Sequence, residues 1–418
     1  MNVNEIYENK KKSFLFHDSN EFQILRKKLI EKFDLSPKNI RNNESLKHLD
    51  PNVLKFNYEY QTKINDIEYH DNKEDFININ VINGRINKID SNDLNKKDLS
   101  INNIDNNNNI CNKFLSFQKF FSDDYILNLN SIFLNSGYEL NISESKEAII
   151  HINNLTSEDN ITLFQKNMIK CEKNSNVLIL EEFNSHKLSN NNIVNFIDIE
   201  ENSNVTHLIF QNNSENSKLQ STSFTNCKSS SNYKQVTINI SKSSVRNHHY
   251  ANIIGKEASV DLDGIFFASS NQIIDNKTHI NHNFPSCKSS QRYKGILTDN
   301  SKASYLSKTY VDKEAQLTEA YQLSKGILLS DSSTFHSKPE LKIYADDVKC
   351  SHGSTFGPIN KDLLFYLRSR GLNKKKSMAL LLKSFFHNII SDIENKKFIE
   401  KFNYYSGIWL KENNLLNV

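Results

Sequence analysis

The feature that most constrains the fold is the long stretch from Glu147 to Asp347, where short strand-like segments follow one another without helical periodicity. Its candidate strands, each bounded by Asn, Ser or Asp, are AIIHI, NITLFQ, NVLILEEF, NVTHLIFQ, YKQVTINI, ASVDLDGIFFA, ASYLSKTYV and KGILLS. This repetition is typical of a β-solenoid, a sandwich or a barrel. Polar runs such as NSNV suit tight corners, and Asn-Gly hairpin turns are scarce, so we favour a solenoid. A solenoid needs caps, which we expect the helical ends of the chain to supply.

The region before this stretch is predicted to be helical or mixed. The segment NEFQILRKKLIEKF predicts a helix with Asn20 as its N-cap and an apolar face formed by Phe22, Leu25, Leu29 and Phe33. The segment INVING predicts a strand followed by a turn. The segment ILNLNSIF predicts a second, short helix that closes at Gly137.

Helical patterns return after Pro358. The segment DLLFYLRSRGL predicts a short helix that ends at Gly371. The segment NKKKSMALLLKSFFHNIISDIENKKF then predicts a longer helix with one broad apolar face, which packs either on its own domain or on a partner. We therefore divide the chain into an N-terminal helical or mixed region (1–145), a β-helix core (146–357) and a C-terminal helical domain (358–418).

Charge and cysteine usage exclude several classes of protein. The chain has 52 basic and 49 acidic residues without a basic block, which argues against nucleic acid as a partner. No apolar run is long enough for a signal peptide or a membrane span, so we expect a cytoplasmic protein. The five cysteines include no Cys-x-x-Cys pair, so we expect neither a disulfide framework nor a zinc knuckle.

The side chains best suited to chemistry lie in KPELKIYADDVKCSHGSTFG, residues 338–357. If this segment is a strand, Asp346, Cys350 and His352 share one side. A thiolate and a neutral imidazole together suit zinc, copper or iron. The alternative is that Cys350 packs as a small apolar group and His352 hydrogen-bonds in a turn, because the pair supplies only two of about four ligands. Asp346 and Asp347 point to opposite faces of a strand, so we expect them to fix a turn or contact a partner.

Other polar residues are weaker candidates. We expect Cys287 to be structural, and we assign no role to Arg246. Four other histidines form tempting pairs, and without a third ligand in reach we interpret them as surface or solenoid-stack residues: His248, His249, His279 and His282.

Several blocks together resemble the SufB/SufD family of the SUF iron–sulfur cluster assembly system. They are, in chain order, INVING, LNLNSIF, IIDNKTHINHNFPSCKSSQRYKGIL, KPELKIYADDVKCSHGSTFG and LLFYLRSRGL. The resemblance covers nearly the whole chain and is strongest from Val177 to Phe386. SufB members typically carry a cysteine before their LIG segment and a His-Glu-Ala-Thr run. Here QLSKGILLS lacks cysteine and the later run is CSHGST, so the resemblance is to the SufD branch.

The resemblance implies a mainly β fold with a right-handed parallel β-helix core and helical N- and C-terminal regions. It implies a non-catalytic scaffold subunit that pairs with SufB through the core and with the ATPase SufC through the C-terminal helices; SufC hydrolyses the ATP. It also implies a transient iron–sulfur cluster at the SufB–SufD interface. His352 and Cys350 match the family's interface motif, and no tightly bound cofactor is expected on the isolated chain.

Two other classes of function stay open at this stage. Parallel β-helices also host polysaccharide lyases and hydrolases, although those are usually secreted and place charged residues along a groove. The chain could also act alone as an iron or sulfur carrier, or form a homodimer when isolated.

Overall fold

The structure is a computed structural model that describes residues 3–32, 77–90, 99–104, 108–117, 124–144, 147–185 and 187–416. It is mainly β, with 49% strand and about seven turns of parallel solenoid. Helices lie at both termini. The predicted solenoid with helical terminal regions is therefore confirmed.

The strands of the solenoid alternate between two sheets. Sheet A contains β1 (Ile77–Ile82), β2 (Arg85–Asp90), β5 (Ala148–Thr156), β7 (Asn176–Ser185), β9 (Asn204–Gln211), β11 (Asn232–Asn239), β13 (Ser259–Ala268), β15 (Lys288–Leu297), β17 (Thr318–Leu328) and β19 (Val348–Gly357). Sheet B contains β3 (Leu99–Asn103), β4 (Tyr138–Ile142), β6 (Ile161–Cys171), β8 (Ser189–Ile199), β10 (Ser217–Cys227), β12 (Val245–Ile253), β14 (Ile273–His282), β16 (Lys302–Val311) and β18 (Thr334–Ile343). The parallel pairing already includes β1 and β4, so both sheets begin before residue 146, the predicted start of the core.

Residues that pair across neighbouring turns form columns along the solenoid. Val177 pairs with Val205 and Val205 with Tyr233, so these turns are 28 residues long. All three side chains are buried. Alternate residues of each strand face the interior. The apolar columns therefore stack into clusters between the sheets, one of which extends from Ile77 to Cys287 and another of which includes Phe266 and Phe335.

Asparagine and serine form many of the tight corners. Asn174 and Asn202 both have φ of 59°, a left-handed conformation that asparagine tolerates better than most residues. They occupy equivalent corners one turn apart, and the Asn202 amide donates to the Asn174 side-chain oxygen over 3.3 Å. Asn83 and Gly84 also have positive φ and form the hairpin turn between β1 and β2 that INVING predicts.

The N-terminal helices are α1 (Val3–Lys10), α2 (Asn20–Glu31), α3 (Asn108–Phe117) and α4 (Tyr125–Ile132). The predicted N-cap of α2 is wrong by one residue, because the Ser19 hydroxyl accepts the Phe22 N–H and Asn20 is already helical. Phe33 lies outside the described residues. The helix α4 ends at Ile132, well before Gly137, and packs on the outer face of β6 and β8.

The C-terminal helices are α5 (Lys361–Ser369), α6 (Lys374–Phe385), α7 (His387–Ile390) and α8 (Lys396–Glu412). The predicted long helix is broken at Phe386, and α8 was not predicted. The helices α6 to α8 cover the outer face of sheet A and share an apolar cluster with it. Of the two options for the broad apolar face, packing on its own domain is therefore correct.

Among the described residues no helix covers the C-terminal end of the solenoid, so the expectation that helices cap both ends is wrong there. The helices α6 to α8 lie along sheet A, and β18 and β19 are left as the outermost strands at the C-terminal end. None of the described helices combines the length and the apolar character needed to span a membrane.

Candidate functional site

The C-terminal end of the solenoid is exposed. Within the described residues, β18 pairs only with β16 and β19 only with β17 in the sheets. Most side chains of both strands are exposed or half-exposed. Uncovered strand edges of this length can pair with another chain. We call β18, β19 and the side chains of β17 beneath them the open end.

Cys350 and His352 lie on β19 and face the interior of the solenoid. In the parallel register Cys350 is next to Ala320 and His352 is next to Gln322. Ala320 and Gln322 are buried, with exposures of 0% and 4%. Because in-register residues of parallel strands share a face, Cys350 and His352 also point along the solenoid's inner wall. His352 is exposed because no further turn covers it.

The environment of Cys350 is partly apolar. Its side chain packs against the cluster of Val311, Ala315 and Ala345. Burial raises the pKa of the Cys350 thiol, and a backbone hydrogen bond from Ala320 opposes this only in part. A thiol with a raised pKa is protonated at neutral pH, so a metal must displace its proton in order to bind.

The His352 imidazole is exposed and has no hydrogen-bond or ion-pair partner among the described residues. It lies within a strand, so its predicted alternative as a hydrogen-bonded turn residue is wrong. The described part of the chain contains no group of three or more His, Cys, Asp or Glu that could hold a metal ion. Cys350 and His352 thus offer at most two of about four ligands, and the others would come from the cargo or from another molecule.

Asp346 and Asp347 do not belong to the strand that carries Cys350 and His352. They form a bend before β19 begins at Val348, and both are exposed. The Leu317 N–H donates to the Asp347 carbonyl over 2.7 Å, and the Asp347 N–H donates to the Gln316 side chain over 2.9 Å. The premise that Asp346 shares a strand face with His352 is therefore wrong, and Asp347 helps to fix the corner.

The other candidate histidines serve the solenoid itself. His248, His249 and His282 are buried, so they are stack residues and not surface residues. Burial lowers the pKa of His248 to about 4 and that of His249 to about 3. The His248 imidazole also lies 3.1 Å from the Asp275 carboxylate. His248 and Asp275 lie on the neighbouring strands β12 and β14 of sheet B, so this contact stabilises the solenoid itself.

Arg246 has a structural role that its sequence context did not reveal. It is fully buried on β12, and its guanidinium forms an ion pair with Asp124. Asp124 is also the N-cap of α4, where its carboxylate accepts the N–H of Ile126 over 2.9 Å. The pair therefore ties the start of α4 to sheet B. Cys287 is buried as well, as expected for a structural thiol.

The helix α5 is unusual because none of its residues is buried. Three large side chains on it are exposed: Leu363 at 51%, Phe365 at 73% and Tyr366 at 54%. Arg368 and Arg370 follow at its C-terminal end. Apolar surface of this kind, rimmed by charge, is typical of a protein-interaction site. We call these side chains the α5 surface.

Comparison with known proteins identifies the family of the core. The family profile described as "SUF system FeS cluster assembly, SufBD core domain" matches residues 153–385. The matched segment contains most of the solenoid, the Cys350 and His352 site, and α5. It covers more than half of the chain.

Individual relatives match shorter segments. The chain is 31% identical over 141 residues to the iron–sulfur cluster assembly protein SufD of Escherichia coli, covering 34% of this chain and 33% of that protein. It is 32% identical over 161 residues to the SufBD family protein slr0076 of Synechocystis, covering 38% and 36%. It is 30% identical over 166 residues to the chloroplastic protein ABCI7 of Arabidopsis thaliana, covering 40% and 35%. These alignments span about a third of each relative.

Proposed function

The chain belongs to the SufBD core-domain family of SUF-system iron–sulfur cluster assembly proteins, and we propose that it acts there as a non-catalytic scaffold that holds SufB and the ATPase SufC. Family membership supports a role in iron–sulfur cluster assembly, and the similarity to SufD of Escherichia coli supports a SufD-type subunit. The proposal concerns what this scaffold binds, with which surfaces, and where the cluster forms.

The observation that carries the proposal is the open end. Among the described residues, no further turn covers the last turn of the solenoid. This turn therefore exposes side chains at positions that are buried elsewhere in the stack. One example is His352, which is in register with the buried Gln322. The edges of β18 and β19 add two rows of backbone groups. A second β-helix, supplied by SufB, would cover both features by continuing the stack, and this supports pairing through the core.

The proposed cargo site is the pair Cys350 and His352. Their inward face would lie between the two solenoids, where iron takes the imidazole nitrogen and the thiolate from this chain. Sulfide and side chains of SufB would complete the coordination. A cluster that is only partly ligated by each subunit can be released when the subunits separate, which suits a scaffold for nascent clusters.

The α5 surface is the proposed docking site for SufC. The long apolar face that the sequence offered for this role packs on sheet A, so deleting the chain from Asn373 onward would uncover the solenoid as well. The exposed aromatic side chains Phe365 and Tyr366 and the nearby Arg368 fit a partner surface with apolar and acidic groups.

The experiment is to purify the tagged chain without oxygen alongside its cellular partners and to measure the native mass and subunit composition. We expect SufB and SufC in the complex, with iron and acid-labile sulfide. Emergence as a monomer or homodimer would reject the partner assignments, and a carrier acting alone would then be the better description.

Two variants assign the surfaces within this experiment. His352→Ala should leave the assembly intact and lower iron and sulfide per complex, whereas the exposed His387 on α7 provides the matched control His387→Ala. Phe365→Ser should weaken SufC binding by about 2 kcal/mol, or about 30-fold, and spare SufB. Its control is Tyr404→Ser, another exposed aromatic of the helical domain. Equal effects of variant and control would reject that surface.

A further inference from the structure

The outer face of sheet B beside the open end carries more positive than negative charge. On β16 the Ser307 and Thr309 hydroxyls form hydrogen bonds with Gln322 of sheet A across the interior, so both residues face inward. Because successive residues of a strand face opposite sides, Lys308 between them points outward. The same alternation in β14, β16 and β18 places five lysines and two acidic residues on the outer face: Lys277, Lys302, Lys308, Lys338, Lys342, Asp275 and Glu340.

Both acidic residues of this face are already engaged within the chain. Asp275 accepts the Ser304 hydroxyl over 2.6 Å and lies 3.1 Å from the His248 imidazole. Glu340 forms an ion pair of 2.6 Å with Lys338. Four lysines of the face have no ion pair within the part of the chain that the structure describes: Lys277, Lys302, Lys308 and Lys342. The face therefore has positive charge that its own acidic residues do not compensate.

Lys308 lies at the centre of this charge. In the parallel register it is next to His279 on β14 and to Glu340 on β18. The strand spacing and the rise per residue place the diagonal positions of both neighbouring strands about 8 Å from Lys308, backbone to backbone. Lysines occupy three of these positions: Lys277, Lys338 and Lys342. We call Lys308 and these three lysines the basic patch.

The titration of Glu340 reflects how closely the lysines surround it. The hydrogen bond from Lys338 is the main reason why the pKa of Glu340 lies below its usual range, and the charges of Lys308 and Lys342 lower this pKa further. One carboxylate is thus shared by three ammonium groups, so the basic patch can still attract negative charge from another molecule.

The basic patch is accessible and adjoins the open end. Lys338 and Lys342 are exposed on β18, the last strand of sheet B in the stack, while Lys277 and Lys308 are half-exposed on the strands behind it. A partner solenoid that continues the stack from β18 would bring its own outer face beside the patch. Opposite charges on neighbouring strands attract, whereas like charges are destabilising there.

We propose that the basic patch steers the partner subunit onto the open end by attracting an acidic surface on the partner, next to the partner edge that meets β18. This inference rests on the proposed function, in which the partner is SufB. Complementary charge of this kind accelerates the diffusional encounter of two proteins and selects the orientation in which they dock.

An acidic protein surface fits the basic patch better than nucleic acid does. The exposed residues Asp346 and Asp347 form the corner that follows β18, and their carboxylates would repel a continuous phosphate backbone. Proteins that bind duplex DNA through its phosphates typically make about 6–10 such contacts, more than the four lysines of the patch supply.

The test measures the rate constants for association and dissociation of the purified full-length chain and purified SufB by stopped-flow fluorescence. The sodium chloride concentration is varied from about 20 mM to about 500 mM. Over this range the Debye length falls from about 20 Å to about 4 Å, so long-range attraction is progressively screened.

Two double variants are compared with the wild type. Lys308→Glu/Lys342→Glu reverses two unpaired charges of the basic patch. The control Lys28→Glu/Lys256→Glu changes the net charge by the same amount at two exposed lysines, which also lack an ion pair among the described residues. Lys28 lies on α2, and Lys256 lies between β12 and β13, three turns from the open end. Far-UV circular dichroism and native mass confirm that each variant is folded.

At about 20 mM salt we expect the patch variant to associate with SufB about 10-fold more slowly than the control, with dissociation rates within about 2-fold of each other. The difference should disappear at about 500 mM salt, where the charges are screened. Equal association rates of the patch variant and the control at low salt would overturn the inference, because any slowing would then come from net charge alone.

Two further outcomes are decisive. If the patch variant loses binding to a single-stranded oligonucleotide while it associates with SufB as fast as the control, the patch serves nucleic acid and the inference is wrong. If SufB does not bind the wild-type chain at any salt concentration, the proposed function is rejected together with this role of the patch. SufB binding at equal rates rejects the inference alone, so the two failures are distinguishable.

Discussion

Replacing Phe267 with alanine tests how the C-terminal helices are attached to the solenoid. Phe267 lies on β13 and faces outward, with its ring centroid 5.1 Å from that of Phe386 and 5.0 Å from that of Trp409. The preceding residue, Phe266, faces inward and lies 5.7 Å from Phe335. Both side chains are 1% exposed. Phe267→Ala and Phe266→Ala therefore remove the same side-chain atoms from equally buried positions. Phe267 lies on the outer face of β13, and Phe266 lies on its inner face.

The expected magnitude follows from the burial. A fully buried Phe→Ala change costs about 3–5 kcal/mol, because it removes the transfer free energy of the ring and leaves a cavity. With a urea m-value of about 2–3 kcal/mol/M, this shifts a transition midpoint by about 1–2.5 M. For Phe267→Ala the loss falls on the contact between sheet A and the C-terminal helices, since the neighbouring rings belong to Phe386, at the break between α6 and α7, and to Trp409 on α8.

The assay uses two signals during urea denaturation. Trp409 is the single tryptophan of the chain, so its fluorescence reports the docking of α8, while far-UV circular dichroism reports the solenoid. In Phe267→Ala we expect the fluorescence transition to move to lower urea and to separate from the circular dichroism transition. In Phe266→Ala both should move together. If the two signals of Phe267→Ala still coincide and shift equally, the helices and the solenoid unfold as one unit and the reasoning is wrong.

Two further predictions concern titration and reactivity. Burial would raise the pKa of Glu182, but the His151 imidazole at 3.1 Å and the Lys401 ammonium outweigh it and lower the pKa to about 2 from an ordinary 4.5. The resulting contribution of about 3 kcal/mol is present above pH 4.5 and is lost as the pH falls towards 2. The difference in the free energy of unfolding between the wild type and Glu182→Gln, measured by urea denaturation, should therefore disappear over that range. The control Glu201→Gln removes an exposed ion pair, so its free energy of unfolding should differ little from that of the wild type at any pH. Of the cysteines only Cys350 is not buried, so Ellman's reagent should modify one thiol in the native chain and none in Cys350→Ser; a second reactive thiol would contradict the packing.

The solenoid could be predicted because its corners repeat in the sequence. NSNV occurs at Asn174–Val177 and again at Asn202–Val205, separated by the length of one turn. The polar strands were missed because a search for apolar alternation cannot find them. The strand β10, SKLQSTSFTNC, and the strand β15, KSSQRYKGIL, place polar side chains inside the solenoid. The polar Gln291 side chain can be buried there because its amide forms hydrogen bonds with Thr309 and Thr278. Both partners lie on other strands, so the sequence of β15 alone does not reveal them.

The shared face of Cys350 and His352 could be predicted from the sequence, whereas the surroundings of these two residues could not. Alternation along one strand correctly places Cys350 and His352 on a shared face. The neighbour of His352 could not be predicted in the same way, because it depends on the length of the preceding turn, which is 30 residues from Gln322 to His352 and differs from the 28 of earlier turns. The exposure of the His352 side chain could not be predicted either, because it depends on the position of His352 in the last turn of the solenoid.

The order of elements at the C-terminal end connects the two proposed binding surfaces. The strand β19 ends at Gly357 and α5 begins at Lys361, so a very short connection joins the strand of His352 to the α5 surface. By contrast, the break between α6 and α7 and the helix α8 are anchored to sheet A, because Phe386 and Trp409 pack against Phe267. A partner that moves α5 therefore acts first on β19, which pairs with a single strand among the described residues. If SufC binds α5 and SufB covers the open end, a displacement of SufC reaches the cluster site through a few residues of backbone, without unfolding the core.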